Sequence, residues 1–308
     1  MSSTTTPLVT FHDGHTAPRL SFGTGTALYG KHASTAVTLA ISSGFTHIDG
    51  AQAYGNESSM AEGIRAAAAS VPRSSLYVTT KLGRFPQDGV DGVNVEASLR
   101  KSLERLGMEH VDLFLVHASS DHVGRDLKDI WNQMVAVKKL GLTKSIGVSN
   151  FNVKDLKTIL ADGAEVPVVN QIEFHPFLTK TLAPLLAFQA QHNILTESYG
   201  TLTPIHPRRP IPEDSDAALL AARDKLLELL DAAGKGRGEN VSRNAILLKW
   251  VWQRGFLTVT TSSKEERLRE SVAALDLPDL SAEEMSAIDA IGNAHFRSFR
   301  SYKHMDDA

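Results

Sequence analysis

Short apolar runs alternate with amphipathic ones along almost the whole chain. The pattern opens with "LVTFHDGHTAPRL", where two extended runs flank Asp13 and Gly14, a hairpin signal. Eight further runs, rich in β-branched and aromatic residues, then read as strands: "RLSFGTG", "FTHID", "SLYVTTK", "VDLFLVH", "KSIGVSN", "PVVNQIEF", "ILTESY" and "FLTVTTS". Segments with a helical period lie between them, among them "STAVTLAISSG", "ESSMAEGIRAAAA", "NVEASLRKSLERLG" and "DLKDIWNQMVAVKKLG". A loop carrying Pro204, Pro207, Pro210 and Pro212 leads into two helices, "DAALLAARDKLLELLDAAG" and "SRNAILLKWVWQRG", before the last strand. A final helix, "SAEEMSAIDAIG", opens on the Ser-x-x-Glu of a capping box.

Strands that alternate with helices in this number predict a closed parallel (β/α)8 barrel with an N-terminal hairpin and extra helices. No linker-like break divides the chain, so one domain over residues 1–308 is expected, its tail (293–308) near the substrate pocket. An open doubly wound sheet is the competing architecture. It would need a glycine fingerprint leading from an early strand into a helix, and "GTGT" at 23–26 is too short and is followed by no helix onset.

Composition changes this picture only by exclusion. The net charge of −3, from 32 basic and 35 acidic residues, gives no reason to expect nucleic acid or an anionic membrane as partner. Cysteine is absent, which removes disulfides, thiolate nucleophiles and Cys-ligated metals. No apolar run reaches membrane-span length, and the opening residues do not resemble a secretory signal, so a cytoplasmic protein is expected. With no H-E-x-x-H and no carboxylate–histidine cluster, no metal site is expected.

In a barrel of this kind the chemistry sits at the C-terminal ends of the strands. The second, third and fourth barrel strands close on Asp49, Lys81 and His117, and "GFTHIDGAQAYGNE" places Tyr54 on the loop just past Asp49. One ionisable residue at a strand end is ordinary; three on successive strands beside a tyrosine point to a site. A phenol titrates near ~10, too high for easy proton donation at neutral pH, and a cation beside it lowers that value. Lys81 can be the cation, and Asp49 can keep a buried Lys81 charged. Tyr54 and His117 together could polarise a carbonyl and stabilise charge developing on its oxygen. Such a site holds no electron source, so a reduction would need a hydride-donating cofactor.

These residues resemble the aldo-keto reductase superfamily. The resemblance rests on "GFTHIDGAQAYGNE", Lys81, "DLFLVH", "SIGVSNF" at 145–151 and "NQIEFHP" at 170–176, and it runs from the first hairpin to the last helix. It implies a (β/α)8 barrel that reduces carbonyls with NADPH through a tetrad falling here on Asp49, Tyr54, Lys81 and His117. It also implies that Ser149, Asn150 and Gln171 hold the nicotinamide carboxamide, that Tyr199 stacks on the ring, and that Gly23, Thr24 and Gly25 line the cofactor and catalytic groups. Contacts to the pyrophosphate are expected around Gly200 to Leu202. In "VTTSSKEERLRES" a helix N-terminus, favourable to anions, meets Lys264 and Arg267. The family places the adenosine 2′-phosphate there, which makes Ser262, Ser263, Lys264 and Arg267 the expected contacts, Thr261 a further cofactor-binding residue, Ser271 an adenine-side candidate, and NADPH the expected cofactor over NADH.

Some features depart from the common family pattern. "HASS" follows the catalytic His where many members have Trp-Pro, and Gly25 and Thr26 stand where many carry an aromatic. The tryptophans, Trp131, Trp250 and Trp252, all fall on predicted helices as packing groups. Tyr29, Phe85, Phe296, Phe299 and Tyr302 are therefore the candidates for lining the substrate pocket. "VVNQIEFHPFL" and "VTTSSKEERLRES" look most like the fungal conjugated polyketone and ketopantoyl-lactone reductases, which implies small activated carbonyls as substrates; a monomer or weak dimer is expected. A non-catalytic NADPH-binding or redox-sensing subunit on the same barrel is the alternative function.

Overall fold

The computed structural model describes residues 6–84, 93–206, 217–238, 241–294 and 305. Strands β1 (Leu8–Thr10) and β2 (Thr16–Pro18) pair antiparallel, and Gly14, at φ +85°, makes the turn that L side chains disfavour. Eight strands then form the closed barrel: β3 (Leu20–Gly23), β4 (His47–Asp49), β5 (Tyr77–Leu82), β6 (Val111–Val116), β7 (Thr143–Ser149), β8 (Val169–Glu173), β9 (Leu195–Tyr199) and β10 (Leu257–Thr260). They are ordered as in the chain and parallel throughout, with β10 returning to lie beside β3. The helices around them are α1 (Ser34–Ser42), α2 (Glu57–Ala67), α3 (Val95–Leu106), α4 (Leu127–Lys139), α5 (Val153–Ile159) and α6 (Ala183–Gln191), then α7 (Ala217–Lys235), α8 (Arg243–Trp252), α9 (Glu265–Ala273) and α10 (Ala282–Ala294). The barrel expected from the sequence is therefore the fold, with element ends shifted by a few residues. The capping box of α10 forms as read: Ser281 N–H donates to Glu284 at 2.7 Å, and Glu284 N–H donates back to the Ser281 hydroxyl at 3.2 Å.

The two-residue period of a strand sorts side chains into two cores. Phe22, Ile48, Val78, Phe114, Ile146 and Ile172 point outward and pack under the helices with Val37, Ile64, Leu99 and Trp131. Inside the barrel, Tyr77, Leu113, Leu115, Val169 and Leu257 form a smaller apolar floor, closed from below by Phe11 and Ala17 of the hairpin segment. Asp13, at the hairpin turn, accepts hydrogen bonds from Ser145 (2.8 Å) and Lys138 (3.1 Å) and fastens it there. Above the floor the interior turns polar, with Ser21, Thr79, Gln171 and Glu197 all buried. Polar groups inside a barrel need partners within it: Gln171 finds Asp49 and Glu197, and Thr79 finds His47.

Trp131, Trp250 and Trp252 are buried packing groups on α4 and α8, as expected from their helical positions. Phe85, Phe296, Phe299 and Tyr302 lie outside the described residues.

Helices α1 and α2 touch closely at Gly63, where an added Cβ would lie 2.5 Å from the Ser34 carbonyl oxygen and 2.7 Å from Val37 Cβ. Backbone cannot yield as a flexible side-chain end can. Gly63→Ala should destabilise the fold by about 1–3 kcal/mol, read as a lower urea midpoint with an unchanged slope.

Candidate active site

The site is built on the end of β4. Asp49 is the last residue of that strand and points into the barrel beside Lys81 of β5. Lys81 has no exposed surface. Its ammonium donates to both Asp49 oxygens, at 2.6 and 2.7 Å, and to the Gly50 carbonyl at 2.9 Å. It also lies 3.5 Å from the Tyr54 hydroxyl oxygen. Burial by itself would favour the neutral amine; the Asp49 carboxylate outweighs it, and the pKa of Lys81 is raised above the usual lysine value.

Tyr54 sits on a single 3₁₀ turn, Gln52–Tyr54, ended by Gly55 at φ +65°. Gln52 clamps this turn to the barrel wall. Its amide oxygen accepts from Gly83 N–H at 2.8 Å, and its NH₂ donates to the hydroxyls of Ser98 and Ser102, both at 2.9 Å. Asn56 ties the other side, donating to the carbonyls of Thr24 (3.0 Å) and Leu28 (2.9 Å). Glu57, next in the chain, is consumed by structure: it accepts from Thr80 (2.6 Å), Ser102 (3.3 Å) and Arg105 (2.7 Å). Gly25 lies against the phenol ring, where a Cβ would fall 2.5 Å from Tyr54 Cζ.

His117 follows β6 directly and meets Tyr54 edge to face, ring centroids 5.4 Å apart. Burial, then the Lys81 and His122 charges, lower its pKa to about 3, so the imidazole is neutral at physiological pH. Its Nδ1 is buried, leaving Nε2 as the nitrogen that can meet a ligand.

The cavity above these groups has a volume of about 760 Å³, within the range of small-molecule sites. Asp49, Tyr54 and His117 line it, as do Gly23, Gly25, Tyr29, Ser149, Asn150, Gln171, Tyr199, Gly200, Leu202, Thr261, Ser262, Ser263, Lys264 and Arg267. The structure thus brings most of the expected residues to one surface. Lys81 lies behind Tyr54 rather than on the wall. Thr24 is fully buried, its N–H and hydroxyl both turned to the Asp49 carbonyl (2.9 and 3.1 Å), so it braces the site from behind. The Ser271 hydroxyl donates to the Arg267 carbonyl at 2.9 Å, one helical turn back, and is not on the wall. Thr201 lies on the wall within the expected Gly200 to Leu202 stretch; Ala27, Ala53, Asp121, Thr203 and His206 also line the cavity and were not singled out by sequence. They sit on loops, where no period marks which way a side chain faces.

The donor set suits a dinucleotide. At the inner end, Asn150 adopts the left-handed conformation (φ +55°), accepts from the Tyr199 hydroxyl at 2.6 Å and donates to the His117 carbonyl at 3.0 Å. Ser149 donates to the Gln171 carbonyl at 2.7 Å. The result is a fixed row of amide, hydroxyl and aromatic groups. At the outer end, the first turn of α9 meets the cavity wall at Ser262, Ser263, Lys264 and Arg267, and Lys264, its N-cap, makes no side-chain capping bond to that turn. Amide-binding groups at one end, and at the other a helix start with Lys264 and Arg267 on the cavity wall, fit the nicotinamide and phosphate ends of such a cofactor, while Glu265 of the same turn pairs with Arg269.

A closed parallel barrel with ionisable side chains gathered at the C-terminal strand ends has the layout of a TIM-barrel enzyme. Residues 19–293 match the aldo/keto reductase family, and the chain belongs to it. A NAD/NADP-dependent indole-3-acetaldehyde reductase of Schizosaccharomyces pombe is 34% identical over 96% of this chain and 98% of its own. An NADPH-dependent alpha-keto amide reductase of Saccharomyces cerevisiae is 32% identical over 93% of this chain and 91% of its own. Among solved structures, a Bombyx mori aldo-keto reductase in complex with NADP superposes with a TM-score of 0.75, at 29% identity, covering 96% of each chain. No helix among the described residues is long and apolar enough to cross a membrane.

Two outcomes follow from this geometry. Gly25→Ala should displace the Tyr54 ring and lower kcat for carbonyl reduction at least tenfold while leaving dinucleotide affinity within about twofold, measured by steady-state kinetics and calorimetry. The second concerns pH. Burial lowers His117 to about 3 and, acting first in each case, His47 and His122 to about 4, against an ordinary value of 6.5. Between those values the unfolded chain binds more protons, so stability falls as pH drops from 6.5 toward 4. His47→Gln should flatten that part of the urea-unfolding profile; a variant profile parallel to the wild type would count against a neutral buried His47.

Proposed function

We propose that this chain is an NADPH-dependent reductase of small activated carbonyls, with Tyr54 as proton donor and Asp49, Lys81 and His117 completing the site. The observation that carries the reading is the Asp49–Lys81–Tyr54 chain at 2.6 and 3.5 Å, set at the base of the cavity beside a neutral His117. NADPH, when bound, supplies the hydride. Ser149, Asn150, Gln171 and Tyr199 would hold its nicotinamide end, and Ser262, Ser263, Lys264 and Arg267 its 2′-phosphate.

The chain's own residues account for the proton. Tyr54 O–H donates to the carbonyl oxygen as negative charge grows there. Lys81, fixed 3.5 Å away and kept cationic by Asp49, stabilises the phenolate left behind. His117, neutral and facing the cavity, donates a second hydrogen bond to the same oxygen and orients it. Solvent then reprotonates Tyr54. The names of the two fungal relatives, an aldehyde reductase and an alpha-keto amide reductase, fall in the same substrate class and support it. The assembled tetrad supports an enzyme over a subunit that only binds the dinucleotide.

Initial rates of NADPH consumption with an α-keto lactone, isatin and a β-keto ester should show turnover, weaker with NADH. Tyr54→Phe should lose about 10²–10⁴-fold in kcat with NADPH affinity preserved. Tight NADPH binding without turnover of any carbonyl would refute the enzyme reading and favour a binding subunit.

A further inference from the structure

Glu197 has no part in the chemistry described above, yet it is fully buried inside the barrel mouth. It lies on β9, in register with Gln171 of β8, and both point inward. The Gln171 amide nitrogen donates to Glu197 Oε2 at 2.9 Å and to Asp49 Oδ2 at 2.9 Å. The second Glu197 oxygen accepts from the Ser21 hydroxyl at 3.4 Å. An amide NH₂ has two hydrogens, and here each has a carboxylate to itself. The atom that Gln171 has left to present to the cavity is its carbonyl oxygen.

We infer that Glu197 is a positioning residue that, together with Asp49, fixes the plane of the Gln171 amide so that its oxygen meets the N–H of a nicotinamide carboxamide. This rests on the dinucleotide reading above. One acceptor decides which end of the amide turns inward. Two acceptors on different strands also stop it swinging about that bond. An acid is costly in this place: burial first, then the Asp49 carboxylate, push Glu197 up to about 7, while Gln171, Lys81 and Ser21 pull it down. A purely structural side chain here could be apolar, as Leu115, Val169 and Leu257 are in the floor below.

The test is calorimetric affinity, independent of turnover, for NADP⁺ and for its 3-acetylpyridine analogue, in which a methyl ketone replaces the carboxamide and the N–H donor is gone. Glu197→Leu should weaken NADP⁺ about three- to tenfold and the analogue much less, so that discrimination between the two narrows. Glu197→Gln, whose amide oxygen still accepts from Gln171, should stay near wild type. In a Gln171→Ala background, Glu197→Leu should add no further loss. Thermal melts check folding, and Glu197→Met replaces the leucine variant if that one does not fold. Equal losses for both dinucleotides, no loss at all, or an undiminished loss in the Gln171→Ala background would overturn the inference and leave the reductase reading intact. Absence of NADP⁺ binding by the wild type would overturn both.

Discussion

A lysine ammonium with no exposed surface is the constraint on which the rest of this site depends. Lys81 stays charged because both Asp49 oxygens lie within 2.7 Å of it. Removing either partner would strand an uncompensated buried charge, a loss of about 3–5 kcal/mol. The pair is therefore structural as well as chemical. Strand pairing sets it: Asp49 is in register with Thr79, which places Lys81 one inward position higher on β5, from where its long side chain turns to the carboxylate. A slip of one residue would send these side chains out among the helices. Barrel closure, with every strand held on both sides, prevents that slip.

The pair positions a cation, but the tyrosine must be brought to it. That task falls to groups without ionisable chemistry. Gln52 pins the Tyr54 turn to Gly83, two residues past Lys81, so the phenol and the ammonium are tied to the same strand end. Asn56 holds the opposite loop through Thr24 and Leu28. Gly25 leaves the space that the phenol ring fills. The Tyr54 phenol is thus held by neutral hydrogen bonds and by an absent side chain, leaving the ion pair as the local source of field.

Much of this was legible from sequence because it follows from period and position. The alternation of runs predicts the barrel, and apolar runs ending on Asp49, Lys81 and His117 mark the strand ends that gather around the cavity. The role of Glu197 was not legible in that way. "ILTESY" does show a charged residue inside an apolar strand, two positions before Tyr199 and so on the same face, and that was the available signal. Its meaning needed the β8–β9 register, which pattern alone does not supply. Thr24 and Ser271 were placed near the cofactor by resemblance, but their hydroxyls turn to the Asp49 and Arg267 carbonyls, because a short polar side chain satisfies a nearby backbone group first. The fit of Gly25 against Tyr54 joins two loops and was invisible for the same reason as the β8–β9 pairing.

The departures from the common family pattern bear on what the proposed site would select. Trp131, Trp250 and Trp252 are consumed by packing, so the aromatic groups on the described cavity wall are Tyr29, Tyr54, Tyr199 and the imidazoles of His117 and His206. Tyr29 is more than half exposed, with its ring centroid 6.0 Å from that of Tyr54. Thr26, Asp121 and His206 add polar character to the same wall. Ala27, Ala53, Leu202, Leu248 and Val259 supply apolar surface beside them, so the described wall is mixed in character. In the proposed reductase, the polarising groups at the base of the cavity act together with the electrophilicity of the carbonyl itself. Keto lactones, dicarbonyls and keto esters need less help to accept hydride than simple ketones do. The proposed preference for such carbonyls therefore rests on electronics, through the polarising groups Tyr54 and His117.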